Sequence, residues 1–265
     1  MFYDRLKKSW EQYDSLVCVG LDPDEKQIPS HLAPDRLYFD FCRAIVDATA
    51  DAVCAFKPQA AHFAALGREQ ELADLIAYIR HNHPDHIVIL DAKRGDIGST
   101  AAYYAREAYV RYGADTVTLN PYLGYESIQP FLDYEDRGVV ILCRTSNADS
   151  DWLQNSDQPP VYERVARRVA EWNTTGQCML VTGATYPEEL GRVRALVGDL
   201  PLLVPGIGAQ GGDLAEVMRH GLTRSGSGLV ISSSRGILYA GQGTDFADAA
   251  RAEAEKLKTE INSFR

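Results

Sequence analysis

The sequence predicts an α/β protein folded as a (β/α)8 TIM barrel, with residues 1–265 forming a single domain. Three observations predict it. Eight apolar, β-branched runs recur along the chain, amphipathic stretches alternate with them, and 265 residues suit eight β/α units. Near-continuous apolar strands separated by helices indicate a parallel sheet buried on both faces. A doubly wound open sheet is the alternative. It usually has fewer strands and often a GxGxxG after the first, and this chain has none.

The first run is SLVCVGLD (15–22) and the second is AVCAFKPQ (52–59). Between them, PDRLYFDFCRAIVDATA sets Leu37, Phe41, Ala44, Ile45 and Ala48 on one helical stripe. REQELADLIAYIRHN does the same with Leu72, Leu75, Ile76 and Ile79, ahead of the third run IVILDAK (87–93). A helix over 99–112 leads to TVTLNPY (116–122), and a weaker one over 126–135 leads to GVVILCRTS (138–146). The polar segment 147–160 follows strand 5, where barrels place functional loops. Helices over 161–175, 187–197, 213–220 and 245–262 frame the last three runs: CMLVTGA (178–184), LLVPGIG (202–208) and GLVISSSRG (228–236).

A net charge of −10 favours a soluble protein and argues against nucleic-acid or membrane-surface partners. A local basic pocket for a small anion remains compatible with it. The five cysteines (Cys18, Cys42, Cys54, Cys143 and Cys178) make no CxxC, which fits reduced, buried thiols in the cytoplasm. MFYDRLKKSW lacks an apolar core of signal-peptide length, and no run is long enough to span a membrane. The histidine cluster HNHPDH precedes strand 3, on the side of the barrel away from the chemistry. It reads as a solvated loop, and no metal site is expected.

Barrel active sites lie at the C-terminal ends of the strands. Those ends are polar here: Asp22, Lys57, Asp91 and Lys93, Asn120, Ser146 and Asn147, then PGIGAQGGD and SSSRG. Alternation places Asp91 and Lys93 on one face of strand 3 with Ile89, while Ala92 and Arg94 point elsewhere. Gly95 allows a turn that carries Asp96 beyond the strand. The expected constellation is Lys57–Asp91–Lys93–Asp96, alternating in sign. Two unit charges about 4 Å apart interact by roughly 4 kcal/mol at an effective dielectric near 20, so a lysine between carboxylates stays protonated and suits a general acid. The glycine-rich loop runs into a helix starting near Gly212, whose free amides favour an anion, and Arg235 adds a planar fork for phosphate.

LDAKRGDIGST resembles the D-x-K-x-x-D signature of the orotidine 5′-monophosphate decarboxylases. VGLDPD, FKPQ, TLNPYLG, RTSN, PGIGAQGGD and SSSRGILYA extend the resemblance along the chain, most closely to the longer bacterial subfamily, type 2. It implies decarboxylation of orotidine 5′-phosphate (OMP) to UMP in de novo pyrimidine biosynthesis, without metal or organic cofactor, by a homodimer with shared sites. By the same resemblance Asp22 and Lys57 would bind ribose hydroxyls, Asp91 would sit beside the substrate carboxylate, and Lys93 would protonate C6. Asp96 and Thr100 would reach the partner subunit's site. Ser146 would hold the pyrimidine, Gln210 would lie over ring and phosphate, and Arg235 would bind the phosphate. Asn120, Gly208 and Ser234 complete the expected substrate-binding set. Two positions depart from the family pattern. Arg144 stands where lysine is expected before TSN, with charge kept and little consequence foreseen, and Gly236 stands for an alanine.

Two rival readings stay open on the sequence. A metal-assisted sugar-phosphate decarboxylase or aldolase would share D-x-K-x-x-D, but needs an acidic residue near strand 2 where this chain has Lys57. A non-catalytic phosphate-binding barrel would gain nothing from alternating charges around a lysine.

Overall fold

The computed structural model describes residues 1–207 and 211–265. Each of the eight expected runs holds one strand: β1 (Val17–Leu21), β2 (Ala55–Pro58), β3 (Ile87–Arg94), β4 (Thr116–Leu119), β5 (Gly138–Arg144), β6 (Cys178–Thr182), β7 (Leu202–Pro205) and β8 (Leu229–Ser233). They form a closed, all-parallel barrel in chain order, with β8 paired back to β1. The chain is a (β/α)8 TIM barrel. Strands β1, β2, β4 and β6 are buried at every residue, the two-sided burial that their unbroken apolar runs foretell. Burying each such Val, Leu or Ile contributes about 1.5–3 kcal/mol.

The surrounding helices are α1 (Phe2–Tyr13), α2 (Leu37–Thr49), α3 (Ala60–Ala64), α4 (Glu69–Asn82), α5 (Gly98–Arg106) and α6 (Gln129–Leu132). They continue with α7 (Asp151–Gln154), α8 (Val161–Trp172), α9 (Pro187–Val197), α10 (Leu214–Gly221), α11 (Arg235–Leu238) and α12 (Phe246–Asn262). The α4 stripe is the one read from the sequence: Leu72, Leu75, Ile76 and Ile79 are buried. On α2 the buried stripe is rotated by one position. Tyr38, Phe41, Cys42, Ile45, Val46 and Thr49 face inward, while Leu37, Ala44 and Ala48 sit at its margin. The aromatic Tyr38 outcompetes the flanking Leu37 because its ring packs edge-on against Phe63. The 126–135 helix shrinks to α6, a single turn.

Helix α1 is absent from the sequence expectations. Phe2, Leu6 and Trp10 at i, i+4 and i+8 form its buried stripe. It covers the N-terminal end of the barrel so closely that a Cβ at Gly138 would lie 2.5 Å from the Phe2 ring. His86 corrects the solvated-loop reading of HNHPDH. It is buried against Tyr13 and Phe56, and its Nε2–H donates to the Ala50 carbonyl. Burial pushes its pKa down, so it stays neutral.

The same end of the barrel is tied by one buried carboxylate. Asp115 Oδ1 accepts from Arg5 at 2.8 Å, Arg80 at 2.6 Å and Arg137 at 3.4 Å, and Oδ2 accepts from the Val88 amide. All five cysteines are buried and unpaired. Among the described residues, no helix is long and apolar enough to cross a membrane. Asp115→Ala leaves three guanidinium groups and an amide without their acceptor. It is expected to lower unfolding free energy by about 3 kcal/mol, read from urea melts.

Candidate active site

A cavity of about 940 Å³ opens at the C-terminal ends of the strands. At its floor, Lys57 leaves β2 fully within the barrel. Its Nζ lies 3.0 Å from Asp91 Oδ2 and 3.8 Å from Asp22 Oδ1. Asp91 Oδ1 in turn accepts from Lys93 Nζ at 2.6 Å. The buried carboxylate therefore lies between two ammonium groups, and Lys93 occupies the open side.

Asp91 and Lys93 meet by a route that strand alternation does not describe. The β3–β4 ladder slips between Leu90 and Arg94, and Lys93 adopts φ +46°. A non-glycine residue there costs on the order of 1–2 kcal/mol. Thr118 on β4 holds the irregular backbone. Its Oγ1 accepts from the amides of Ala92 at 3.0 Å and Lys93 at 2.9 Å, and donates to Asp91 Oδ1 at 2.9 Å. Thr118, which lines the cavity from β4, was missed in the sequence, although it stands two residues before the polar strand end at Asn120. Arg94 points outward to Glu107 and over the Tyr104 ring.

Asp96 does not join the row of charges in its own chain. Its Oδ1 accepts from the Ile97 amide, and Asp22 takes the end of the row instead. Gly95 sits close to β4, where a Cβ would approach the Asn120 side chain to 3.3 Å; the left-handed turns are at Lys93 and Gly98. Thr100 is exposed on α5, and Asn120 is exposed and accepts from the Tyr122 amide. Neither lines the cavity of its own chain.

Ser146, Ser234 and Arg235 do line it. Gly208 and Gln210 lie outside the described residues. The α10 N-terminus is less open to an anion than its sequence suggests. The helix begins at Leu214, and Asp213 caps it by accepting from the Glu216 amide. Ser234 sits where a Cβ on Gly20 would come within 1.9 Å of its Oγ, so β1 needs glycine there. Tyr239, another residue the sequence did not reveal, ties the end of α11 to the segment after β1. Its hydroxyl donates to the Asp22 carbonyl and accepts from the Asp24 amide, one turn beyond Arg235.

Arg144 at the end of β5 is fully buried. It donates to Glu189, Ser150, Asp151 and Gln154 and stacks on Tyr186 at 3.7 Å. The expected equivalence with lysine fails, because a point charge cannot address so many partners in one plane.

A family model described as orotidine 5′-phosphate decarboxylase / HUMPS family matches residues 15–251. The chain belongs to that family. It is 57% identical to the orotidine 5′-phosphate decarboxylase of an Azoarcus species, over 100% of this chain and 99% of that one. The corresponding protein of Dechloromonas aromatica is 56% identical, over 100% and 99%. The solved OMP decarboxylase of Leishmania donovani is 38% identical with a TM-score of 0.86, covering 99% of this chain and 98% of that one.

In this orotidine 5′-phosphate decarboxylase family member, burial works against ionising Asp91, but Lys57 and Lys93 outweigh it and hold the carboxyl well below the usual range. Burial likewise opposes the Lys57 charge, and Asp91 and Asp22 outweigh it, holding the ammonium above the usual lysine range. The depressed carboxyl stabilises the fold above the ordinary pKa near ~4, and its contribution is lost as pH falls through the lowered value. The raised ammonium stabilises it below ~10.4, and its contribution is lost as pH rises through the raised value. The stability difference between wild type and a Lys57→Met, Asp91→Leu double variant should therefore be flat from about pH 5 to 9.5. Urea midpoints across that range check this; a steady slope through neutral pH would contradict the charges assigned.

Proposed function

We propose that the cavity binds OMP with its phosphate at Arg235 and Ser234, its ribose at Asp22 and Lys57, and its 6-carboxylated ring between Asp91 and Ser146. The chain is a carboxy-lyase that converts OMP to UMP and CO2, a step of pyrimidine biosynthesis. The observation that carries the assignment is the Lys57–Asp91–Lys93 row, with Lys93 at the open side. Asp22 Oδ1 supports the ribose placement, being buried without a hydrogen-bond partner while its residue lines the cavity. Arg235 supports the phosphate placement, since it is exposed to the cavity and has no carboxylate partner among the described residues.

Loss of CO2 leaves negative charge on C6, which the ring delocalises poorly. Lys93 stabilises that charge at a fixed position and then gives it a proton. Asp91 faces the departing carboxylate and raises the energy of the bound substrate by repulsion. This chemistry calls on no metal or organic cofactor. A cation-dependent sugar-phosphate reading would find Lys57 where it needs an acid.

The working unit in this proposal is a cytoplasmic homodimer of single-domain subunits. The buried free thiols accord with a reducing compartment. Ile97 on the loop after β3, Tyr103 on α5 with Thr100, and Tyr122 and Leu123 after β4 are exposed, the kind of apolar surface that a second copy covers. Asp96 and Thr100 then complete the partner's cavity.

Lys93→Ala should reduce CO2 release from OMP by at least about 10³-fold while UMP still inhibits measurably. A near-normal rate would remove Lys93 from the chemistry. Random mixing of inactive Lys93→Ala and Asp96→Ala subunits should restore about a quarter of the sites, because half of the dimers then hold one intact site. No recovery in the mixture would argue against shared sites.

A further inference from the structure

We infer that Arg144 is a positioning residue for base recognition: its guanidinium sets Thr145, Ser146 and the 147–154 turn against the cavity. The inference rests on the placement of the base at Ser146. Its partners fall into two groups. Glu189 and Tyr186 belong to the start of α9, which is packed onto the barrel between α8 and α10. Ser150, Asp151 and Gln154 belong to the turn that walls the cavity. Arg144 thus ties the segment after β5, including α7, to the start of α9.

The ties continue to the cavity residues themselves. Gln154 Oε1 accepts from the Thr145 amide at 2.8 Å, and Ser150 Oγ donates to the Asn147 carbonyl at 2.6 Å. From the other side, the Thr185 hydroxyl donates to the Ser146 carbonyl at 3.0 Å, and the Gly183 amide to the Arg144 carbonyl at 2.7 Å. Ser146 lies so close to β6 that a Cβ on Gly183 would come within 2.7 Å of its amide nitrogen. Ser146 is therefore held from two directions, and one of them runs through the Arg144 fork. Arg144 lies behind this wall, fully buried, and does not itself line the cavity.

Two inhibitors separate base positioning from general support: UMP, and ribose 5-phosphate, which lacks the base. In Arg144→Lys, UMP inhibition should weaken by about tenfold, as for loss of a charge-assisted hydrogen bond, while ribose 5-phosphate changes by less than about twofold. Equal weakening of both, or no change in either, overturns the inference. Should Arg144→Lys fail to fold, Asp151→Ala and Gln154→Ala cut two of the three turn-side ties, leaving Ser150, while keeping the arginine on Glu189. The same selective loss for UMP is expected of them, and an equal effect on both inhibitors is again fatal. Ser146→Ala tests the underlying placement. Weaker UMP binding there beside unchanged binding in Arg144→Lys overturns the positioning role alone, whereas unchanged UMP binding in both overturns the placement of the base as well.

Discussion

A carboxylate placed inside a barrel mouth must be matched by positive charge, and Asp91 is matched twice. One ammonium, Lys57, is as buried as the carboxylate, and the other, Lys93, is half exposed. The surroundings follow from that constraint. Removing either charge would leave the other partners in a low-dielectric setting without compensation. Asp22 extends the row, Thr118 fills a further acceptor position on Asp91, and the left-handed backbone at Lys93 brings the second ammonium within reach. Strain at Lys93 is tolerable because three hydrogen bonds through Thr118 and one ion pair hold the same few residues.

The opposite end of the barrel uses the same device for stability. Asp115 gathers arginines from α1, α4 and the segment before β5, elements distant in sequence. The two clusters differ in what they leave open. Around Asp115 the carboxylate is fully buried and its charge is met by three guanidinium groups, one of them from α1. Around Asp91 the charges line a cavity, and Lys93 is the most exposed of them. The first arrangement closes the fold, and the second makes a charge available to a ligand.

The fold was legible because its signal is repeated eight times. Strands buried on both faces read as unbroken apolar runs, and the intervening helices as stripes. Helix α1 carried its own stripe at Phe2, Leu6 and Trp10, but a lone helix ahead of the first strand has no place in a β/α count. The charged residues of the site were legible by type and less so by geometry. Alternation brings Asp91 and Lys93 together on paper, whereas the chain does so through a ladder slip and a positive φ that no lysine announces. Thr118 and Tyr239 act through contacts between residues far apart in the chain, so their residue types alone gave no signal, and Arg144, hidden behind the wall, showed only as a departure from lysine. Asp213 shows the converse. Glycines before a helix suggested open amides, while the acidic residue that caps them stood in plain view.

The Thr118 hydroxyl has a consequence for direction. It owns one hydrogen, and two amides already point at its oxygen. That hydrogen can only be directed to Asp91, so the bond between them is one-way. The two lysine contacts on Asp91 are equally irreversible, since an ammonium has no lone pair to offer. Asp91 is thus encircled by fixed donors and is a poor courier of hydrogen ions. Within the row of charges, isotopic label from solvent reaches most directly the half-exposed ammonium of Lys93.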